Sequence, residues 1–328
     1  MENGYKIAID VMGSDNGPAA LVEGAVKALE THKELSVVLF GDGPVIEERL
    51  TALSADRTRV EVVATTETIT NYDNPMEAIF GKMDSSLVRA LTALGEREDL
   101  IGLINAGNTG ALLAGALRYV PAKELKRPAL AAILPAEKGG FTCLVDTGAN
   151  IDCNASMLVA FAHMGSDFMK ENYGLAEPRV GLLSNGAEET KGNKLVKETH
   201  ALLKQEKGLN FIGNIEGNNA LSGDCDVLVA DGFAGNQVFK SAEGIARRLI
   251  TDIVKYAKTT GSKEIMGLVG HLMGIYDFSA LGGGIVLGAG KPIIKARGSA
   301  KPEAVVNTAA MLLNMAKNRD VFYGKDER

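Results

Sequence analysis

The chain reads as an α/β protein of the doubly wound, three-layer type with a mainly parallel sheet, and three features predict it. Short apolar runs alternate with helical patterns from residue 6 onward, the β-α-β rhythm that a parallel sheet requires. Four of those runs stop abruptly at loops of Gly, Asn, Ser and Asp: KIAIDVMGSDNGP (6–18), GLINAGNTGALLAG (102–115), VGLLSNGAEETKGN (180–193) and DVLVADGFAGNQVFK (226–240). Such loops collect along the carboxyl edge of an open α/β sheet, where ligands bind. Each hands over to a helix whose positive dipole end faces the loop, so the ligand the design suits is an anion.

In order, strands are expected at 6–12, 36–40, 60–64 and 100–104, with helices at about 19–29, 45–53, a short one opened by Asn74-Pro75, and 85–94. Small and apolar residues alternate over 111–117, as close packing of a helix on the sheet requires. Residues 129–135 and 141–146 read as a β-hairpin around Glu137-Lys138-Gly139-Gly140, an antiparallel intrusion that ends in the polar turn Asp146-Thr147-Gly148-Ala149-Asn150. A helix over 155–171, a strand over 180–183, a helix to about 204, and strands over 208–214 and 226–230 follow. An amphipathic helix is expected over 239–258, and the apolar EIMGLVGHLMGI (264–275) comes next. Strands over 285–290 and 292–296 and a final helix over about 302–318 close the chain.

With 328 residues and 46% hydrophobic content, the chain can bury a substantial core. Neither an internal repeat nor a low-complexity linker divides it, so a single α/β/α catalytic domain (1–328) is expected, with 240–281 as the one helical hairpin excursion. A net charge of −6 argues against general nucleic-acid binding. No cationic apolar leader and no run of about 18 apolar residues is present, so a cytoplasmic protein that does not span a membrane is expected. The three cysteines, Cys143, Cys153 and Cys225, lack metal spacing and suit buried thiols in a reducing compartment. His163, beside Phe161 and Met164, reads as a packed or interface histidine.

Asp10, Ser14 and Asp15 are the polar groups expected to be exposed after the first strand. In the second loop Gly107 and Gly110 permit the turn, and Asn108 and Thr109 can donate to an oxyanion. The loop matches neither G-x-x-x-x-G-K-[ST] nor G-x-G-x-x-G, so a turn satisfied by its own side chains is the competing reading. In the third, Asn185 and Gly186 precede Lys191, placed at the start of a helix where a cation opposes the dipole. An anion would compensate it; the alternative is a surface lysine paired with Glu188. Asp231 and Asn236 flank the fourth turn, and Arg297 and Ser299 stand at a further helix N-terminus. Arg247, Arg248, Lys255 and Lys258 lie largely off the apolar face of the 239–258 helix, and Leu268, Val269, Leu272 and Met273 lie in the apolar segment after it. That segment is either buried between subunits or set against an anionic membrane surface.

Assembled, these stretches resemble the phosphate acyltransferase (PlsX) family of bacterial phospholipid synthesis, the acyl-carrier-protein:phosphate acyltransferases. IAIDVMGSDNGP, DSSLVRALTAL, INAGNTGALLAG, KRPALAAILP, DTGANIDC with LVAFAHMGSDFM, GLLSNGAEETKGN, NIEGNN, DVLVADGFAGNQVFKSAEG and GGGIVLG with GSAKPEAV occur in family order across nearly the whole chain. The resemblance implies a fold akin to isocitrate and isopropylmalate dehydrogenases, a homodimer, and peripheral membrane contact through a helical hairpin. It departs at Ser14, where the family usually has Gly, at Ser184 to Glu189 (N-I-G-E-E), near Asn219 (acidic), at Ile285-Val286-Leu287 (A-P-L-L) and at Arg297-Gly298-Ser299-Ala300 (H-G-S-S). Arg in place of that His keeps a donor but fixes the charge.

The implied reaction moves a fatty acyl group from the thioester of acyl carrier protein to inorganic phosphate, without metal or organic cofactor. The acyl phosphate would feed a downstream acyl-phosphate:glycerol-3-phosphate acyltransferase. On this reading Lys191 binds phosphate and neutralises charge, supplemented by Gly107, Asn108, Thr109, Asn185, Gly186, Arg297 and Ser299; Asp231 orients Lys191 or the phosphate proton, and Asn236 donates to the tetrahedral oxyanion. Arg247, Arg248, Lys255 and Lys258 would dock the acidic carrier. Two alternatives stay open: a short-chain phosphotransacylase using coenzyme A, and a membrane-associated homologue without turnover.

Overall fold

Strand and helix alternate from the amino end of the chain, and most early helices begin where a short polar side chain takes up N–H groups that the helix leaves without partners. The structure, a computed structural model, describes residues 4–123, 127–276 and 283–323. The elements are β1 (Tyr5–Asp10), α1 (Gly17–Thr31), β2 (Leu35–Gly41), α2 (Gly43–Ala52), β3 (Val60–Ala64), α3 (Pro75–Gly81), α4 (Ser86–Glu96), β4 (Leu100–Asn105), α5 (Thr109–Tyr119), β5 (Ala129–Pro135), β6 (Phe141–Val145), α6 (Ala155–Tyr173), β7 (Arg179–Ser184), α7 (Lys194–Leu203), β8 (Asn210–Glu216), β9 (Val227–Val229), α8 (Gly232–Thr260), α9 (Lys263–Tyr276), β10 (Gly284–Leu287), β11 (Ile293–Lys295) and α10 (Pro302–Tyr323). Asp42, Asn74, Ser85, Asn108, Asn193 and Asp231 cap α2, α3, α4, α5, α7 and α8 through their side chains. Each such cap is worth about 1 kcal/mol.

The chain forms two compact units, the first drawn from 1–130, 171–174 and 282–328 and the second from 131–170 and 175–281. Unit 1 orders its strands β3-β2-β1-β4-β11-β10, all parallel except β10. Adjacent residues of β4 show why helices lie on both faces. A Cβ on Gly102 would sit 2.6 Å from the Leu312 side chain of α10, whereas Leu103 joins a cluster with Leu87 and Leu91 of α4 and Leu112 of α5.

Unit 2 orders its strands β5-β6-β9-β7-β8, with the β5–β6 pair antiparallel as the hairpin pattern predicts. Gly165 of α6 abuts Val145 and Val227, and the neighbouring Leu144 and Leu228 pack with Val238 and Ala242 of α8 on the opposite face. The doubly wound reading therefore holds within each unit. Among the described residues, no helix is long and apolar enough to cross a membrane.

Two helix starts differ from expectation. The helix expected from 239 begins at Gly232, because Asp231 caps it directly. The helix expected to start at Lys191 begins at Lys194, because Asn193 caps it and Gly192, at φ +99°, interrupts the helical backbone. Lys191 therefore belongs to the turn before α7, and the helix-dipole argument for it does not apply. Of the four apolar candidates on α9, Val269 is buried and Leu272 half-buried, while Leu268 and Met273 are exposed. Val269 is thereby corrected as a tip residue. Residues 277–281, the end of the expected excursion, lie outside the described residues.

Leu91 is fully buried, and its side chain fills the space that a Cβ on Gly115 would need. Leu91→Ala should lower unfolding stability by about 2–5 kcal/mol, read from urea titration, and a loss below about 1 kcal/mol would mean that the α4–α5 seam closes over the gap.

Candidate active site

In unit 1 the ends of β1 and β4 lie side by side, with Asp10 opposite Asn105. Their loops touch: a Cβ on Gly13 would come within 3.3 Å of the Gly107 Cα, and Gly13 has a φ of +75°. Only glycine accommodates both demands. Asp10, expected to be exposed, is 2% exposed. The correction has a simple cause, for β1 is an interior strand and the carboxylate turns to donors beside it, Met12 N at 3.0 Å and Asn105 Nδ2 at 2.8 Å. Burial pushes the Asp10 carboxyl up to about 6, opposed by hydrogen bonds from Ser86, Met12 and Asn105 and by the charge of Lys295.

Lys295 was missed in the sequence reading. It ends β11 opposite Asn105 and donates from Nζ to the Ala296 carbonyl at 2.6 Å. Burial brings its ammonium down to about 8, with Asp15 and Asp10 opposing the shift. The available signal was its position, a lysine closing an apolar strand two residues before Arg297. Burial also lowers the Arg297 guanidinium.

The other predicted groups of unit 1 are largely occupied by the fold. Asn108 Oδ1 accepts from Ala111 N and its Nδ2 donates to the carbonyls of Thr70 and Asp73, so the side-chain donor expected for an oxyanion is already engaged. Thr109 is the first residue of α5 and Gly107 is buried before it. Ser14 Oγ donates to the Gly17 carbonyl. Ser299 is exposed in the turn preceding α10 rather than on that helix. Asp15 N donates to the Gly298 carbonyl, and the Asp15 carboxylate lies 2.6 Å from where a Gly298 Cβ would be. The Arg297–Ser299 turn thus carries an acidic neighbour beside its cation.

In unit 2 the ends of β6, β9 and β7 are neighbours. After β6 the buried Asp146 carboxylate accepts four bonds, from Gly148 N and Ala149 N at one oxygen and from Asn150 N and Asn150 Nδ2 at the other. The first turn of α8 rests on this ledge. Gly232 N donates to the Asn150 carbonyl, and a Cβ on Gly235 would be 2.0 Å from the Asp146 carbonyl oxygen. Asn236 Nδ2 donates to the Thr147 carbonyl at 2.9 Å, leaving its second amide N–H without a bond among the described residues. Asp231 Oδ1 accepts from Phe233 N and Ala234 N, so this carboxylate is first of all the cap of α8.

Beside it, the loop after β7 carries Asn185, Gly186 and Lys191. Asn185 Oδ1 accepts from Gly192 N at 2.8 Å, and Lys191 N donates to the Glu188 carbonyl. The aliphatic stem of Lys191 crosses Gly186, where a Cβ would sit 2.6 Å from the lysine Cγ. Lys191 is exposed, and its ammonium forms no ion pair among the described residues, with Glu188 or any other carboxylate. An exposed cation without an ion pair, in the loop that follows a parallel strand, can bind an oxyanion and stabilise charge that develops next to it.

The structure thus collects Lys191, Asn185, Gly186, Asp231 and Asn236 in unit 2, and Asp10, Ser14, Asp15, Gly107, Asn108, Thr109, Arg297 and Ser299 in unit 1. The thiols take no part: burial pushes Cys143 and Cys225 up to about 12, and Cys153 donates to the Asn150 carbonyl.

A stability test follows from Asp10. Its folded value, about 6, exceeds the ordinary 3.8, so between those values the folded chain holds a proton that the unfolded chain releases, and stability falls as pH rises through the window. Lys295, brought down to about 8 from 10.5, contributes the opposite slope at alkaline pH. Asp10→Asn should abolish the acidic-side slope of urea unfolding free energy; a variant that keeps the wild-type slope would assign it to another group.

Comparisons with known proteins give the family of the chain. A family model described as "Fatty acid synthesis protein" matches residues 5–321. The phosphate acyltransferase of Thermoanaerobacter pseudethanolicus is 40% identical over 98% of this chain and 97% of its own. That of Streptococcus uberis is 38% identical over 96% and 95%. Among solved structures, a phosphotransacetylase from Streptococcus pyogenes shares the fold at a TM-score of 0.66 and 16% identity, covering 96% of this chain and 94% of that one. A branched-chain phosphotransacylase from Enterococcus faecalis does so at 0.59 and 17%, covering 94% and 98%. With matches of this identity over nearly the full length, the chain belongs to the phosphate acyltransferase family and is an enzyme that transfers an acyl group to phosphate.

Proposed function

We propose that the acyl donor is the thioester of acyl carrier protein, the acyl group a fatty one, and the product an acyl phosphate destined for phospholipid synthesis. The observation that carries the reading is the Lys191 ammonium, without an ion pair among the described residues, its stem crossing Gly186 in the loop after β7, a strand that pairs with the β9 strand leading to the Asp231–Asn236 turn. Phosphate is already nucleophilic at neutral pH, so the enzyme has chiefly to position it and stabilise charge. One phosphate oxygen attacks the thioester carbon, Lys191 neutralises the phosphate, and the uncommitted amide N–H of Asn236 meets the tetrahedral oxyanion. The carbon–sulfur bond then breaks, and the departing thiolate takes up the proton that phosphate gives away. Asp231, with one oxygen engaged as a cap, orients Lys191 or the phosphate proton with the other.

The long helix α8 supports a carrier-protein donor. Arg247, Arg248, Lys255 and Lys258 are all exposed on it, a basic face suited to an acidic partner. Arg248 pairs with Asp252 at 2.7 Å and Lys255 lies 3.9 Å from the same carboxylate, which leaves Arg247 and Lys258 as the stronger candidates. Ile245, Leu249 and Tyr256 are each about 60% exposed along the same helix, and Leu268 and Met273 about half exposed on α9. This apolar surface is the proposed contact with a second copy of the chain or with an anionic membrane surface.

Lys191→Ala should reduce acyl phosphate formation, followed by phosphorus NMR, by about a hundredfold to a thousandfold with the circular dichroism spectrum unchanged. Gly186→Ala, which displaces the lysine stem, should give a smaller loss of the same kind. Unchanged turnover in Lys191→Ala would reject the lysine assignment. Long-chain acyl carrier protein should be a better donor than acetyl-coenzyme A, and added salt should raise KM for the carrier. Preference for acetyl-coenzyme A would reassign the donor.

A further inference from the structure

The turn that carries Lys191 is held by a side-chain relay from behind, away from any substrate. Lys191 N donates to the Glu188 carbonyl at 3.0 Å, and the same carbonyl accepts from Asn214 Nδ2 at 2.9 Å. With that amide nitrogen committed, Asn214 Oδ1 faces His200 Nδ1 at 2.9 Å and accepts from its N–H. Both His200 and Asn214 are 6% exposed. The imidazole edge meets the Phe211 ring at a centroid distance of 5.1 Å. Its other nitrogen lies 3.9 Å from Glu189, which pairs more closely with Lys204 at 2.7 Å.

Asn214 reaches this position because β8 is irregular. Opposite β7, Phe211 pairs with Val180 and Gly213 with Gly181, so Ile212 is an extra residue, and Gly213 takes a φ of +101°. A regular strand would turn residues 211 and 214 to opposite faces. The bulge puts both on the side of α7, where His200 meets them.

We propose that Asn214 and His200 are positioning residues for Lys191: through the Glu188 carbonyl they set where the lysine turn stands at the end of β7, and hence its affinity for phosphate. The proposal rests on the reading of Lys191 as the phosphate-binding cation. Removing the imidazole N–H leaves a buried amide oxygen without its donor, and the amide can then rotate off Glu188. His200→Phe, which keeps a flat ring beside Phe211, should therefore raise KM for phosphate by about tenfold while kcat and KM for the acyl donor change by less than about twofold. His200→Gln, which retains an N–H, should recover most of that loss. Asn214→Asp, which presents an oxygen to the Glu188 carbonyl, should raise KM for phosphate further.

The test is steady-state acyl phosphate formation with inorganic phosphate varied, on these three variants, Lys191→Ala and Lys191→Ala/His200→Phe. In the lysine-free background the His200 substitution should no longer alter KM for phosphate. If His200→Phe and Asn214→Asp leave that KM at the wild-type value, or lower kcat and raise both KM values alike together with the melting temperature falling, the relay has only a structural role and the proposal fails. If Lys191→Ala itself leaves KM for phosphate unchanged, the reading of Lys191 fails and the relay proposal with it, an outcome distinct from failure of the relay alone.

Discussion

The buried Asp146 carboxylate, with four N–H donors gathered on its two oxygens, is the constraint on which the unit 2 site depends. A carboxylate enclosed in this way keeps its place only while its donors do, because each lost bond would leave a buried oxygen less fully compensated. The turn 146–150 is accordingly a fixed ledge. The first turn of α8 is pressed onto it through two glycines, so Asp231 and Asn236 take their positions from the ledge and not from the loop they belong to. Gly235 is therefore a packing requirement, since any larger residue would drive α8 off the Asp146 carbonyl.

The two polar edges are held by different means. In unit 1 the carboxyl ends of β1, β4 and β11 bury Asp10 and Lys295 together, and burial weakens the charge of each. In unit 2 the Lys191 side chain is exposed and its ammonium forms no ion pair among the described residues. The contrast is between polar groups enclosed by the fold and a lysine left exposed at its surface.

Much of this was legible in the sequence because local chemistry wrote it. The Gly-Asn-Ser-Asp loops after apolar runs marked four strand ends, and the residues that cap α5, α7 and α8 all lie inside those loops. What escaped depended on partners distant in sequence. Asp10 looked like an edge carboxylate because nothing in KIAIDVMG shows that Asn105 and Lys295 will enclose it. Lys191 was placed on a helix because the helical pattern runs back through it, whereas Gly192 and the Asn193 cap delay the start. Val269 read as one more apolar residue in an unbroken run, and only the packing of α9 separates it from its exposed neighbours. The alignment of His200 with Asn214 could not be read at all, since it arises from a one-residue bulge that reverses the alternation of β8.

The helix α8 runs without a break for 29 residues, about 43 Å at the usual rise per residue. Its first turn sits on the 146–150 ledge, and its far end carries exposed apolar and basic residues and leads into α9. A rod of this kind has no joint along its length. A force applied at the distal end would act as on a lever whose fulcrum is the Asp146 turn, and would be felt by Asp231 and Asn236 at the other end of the same helix.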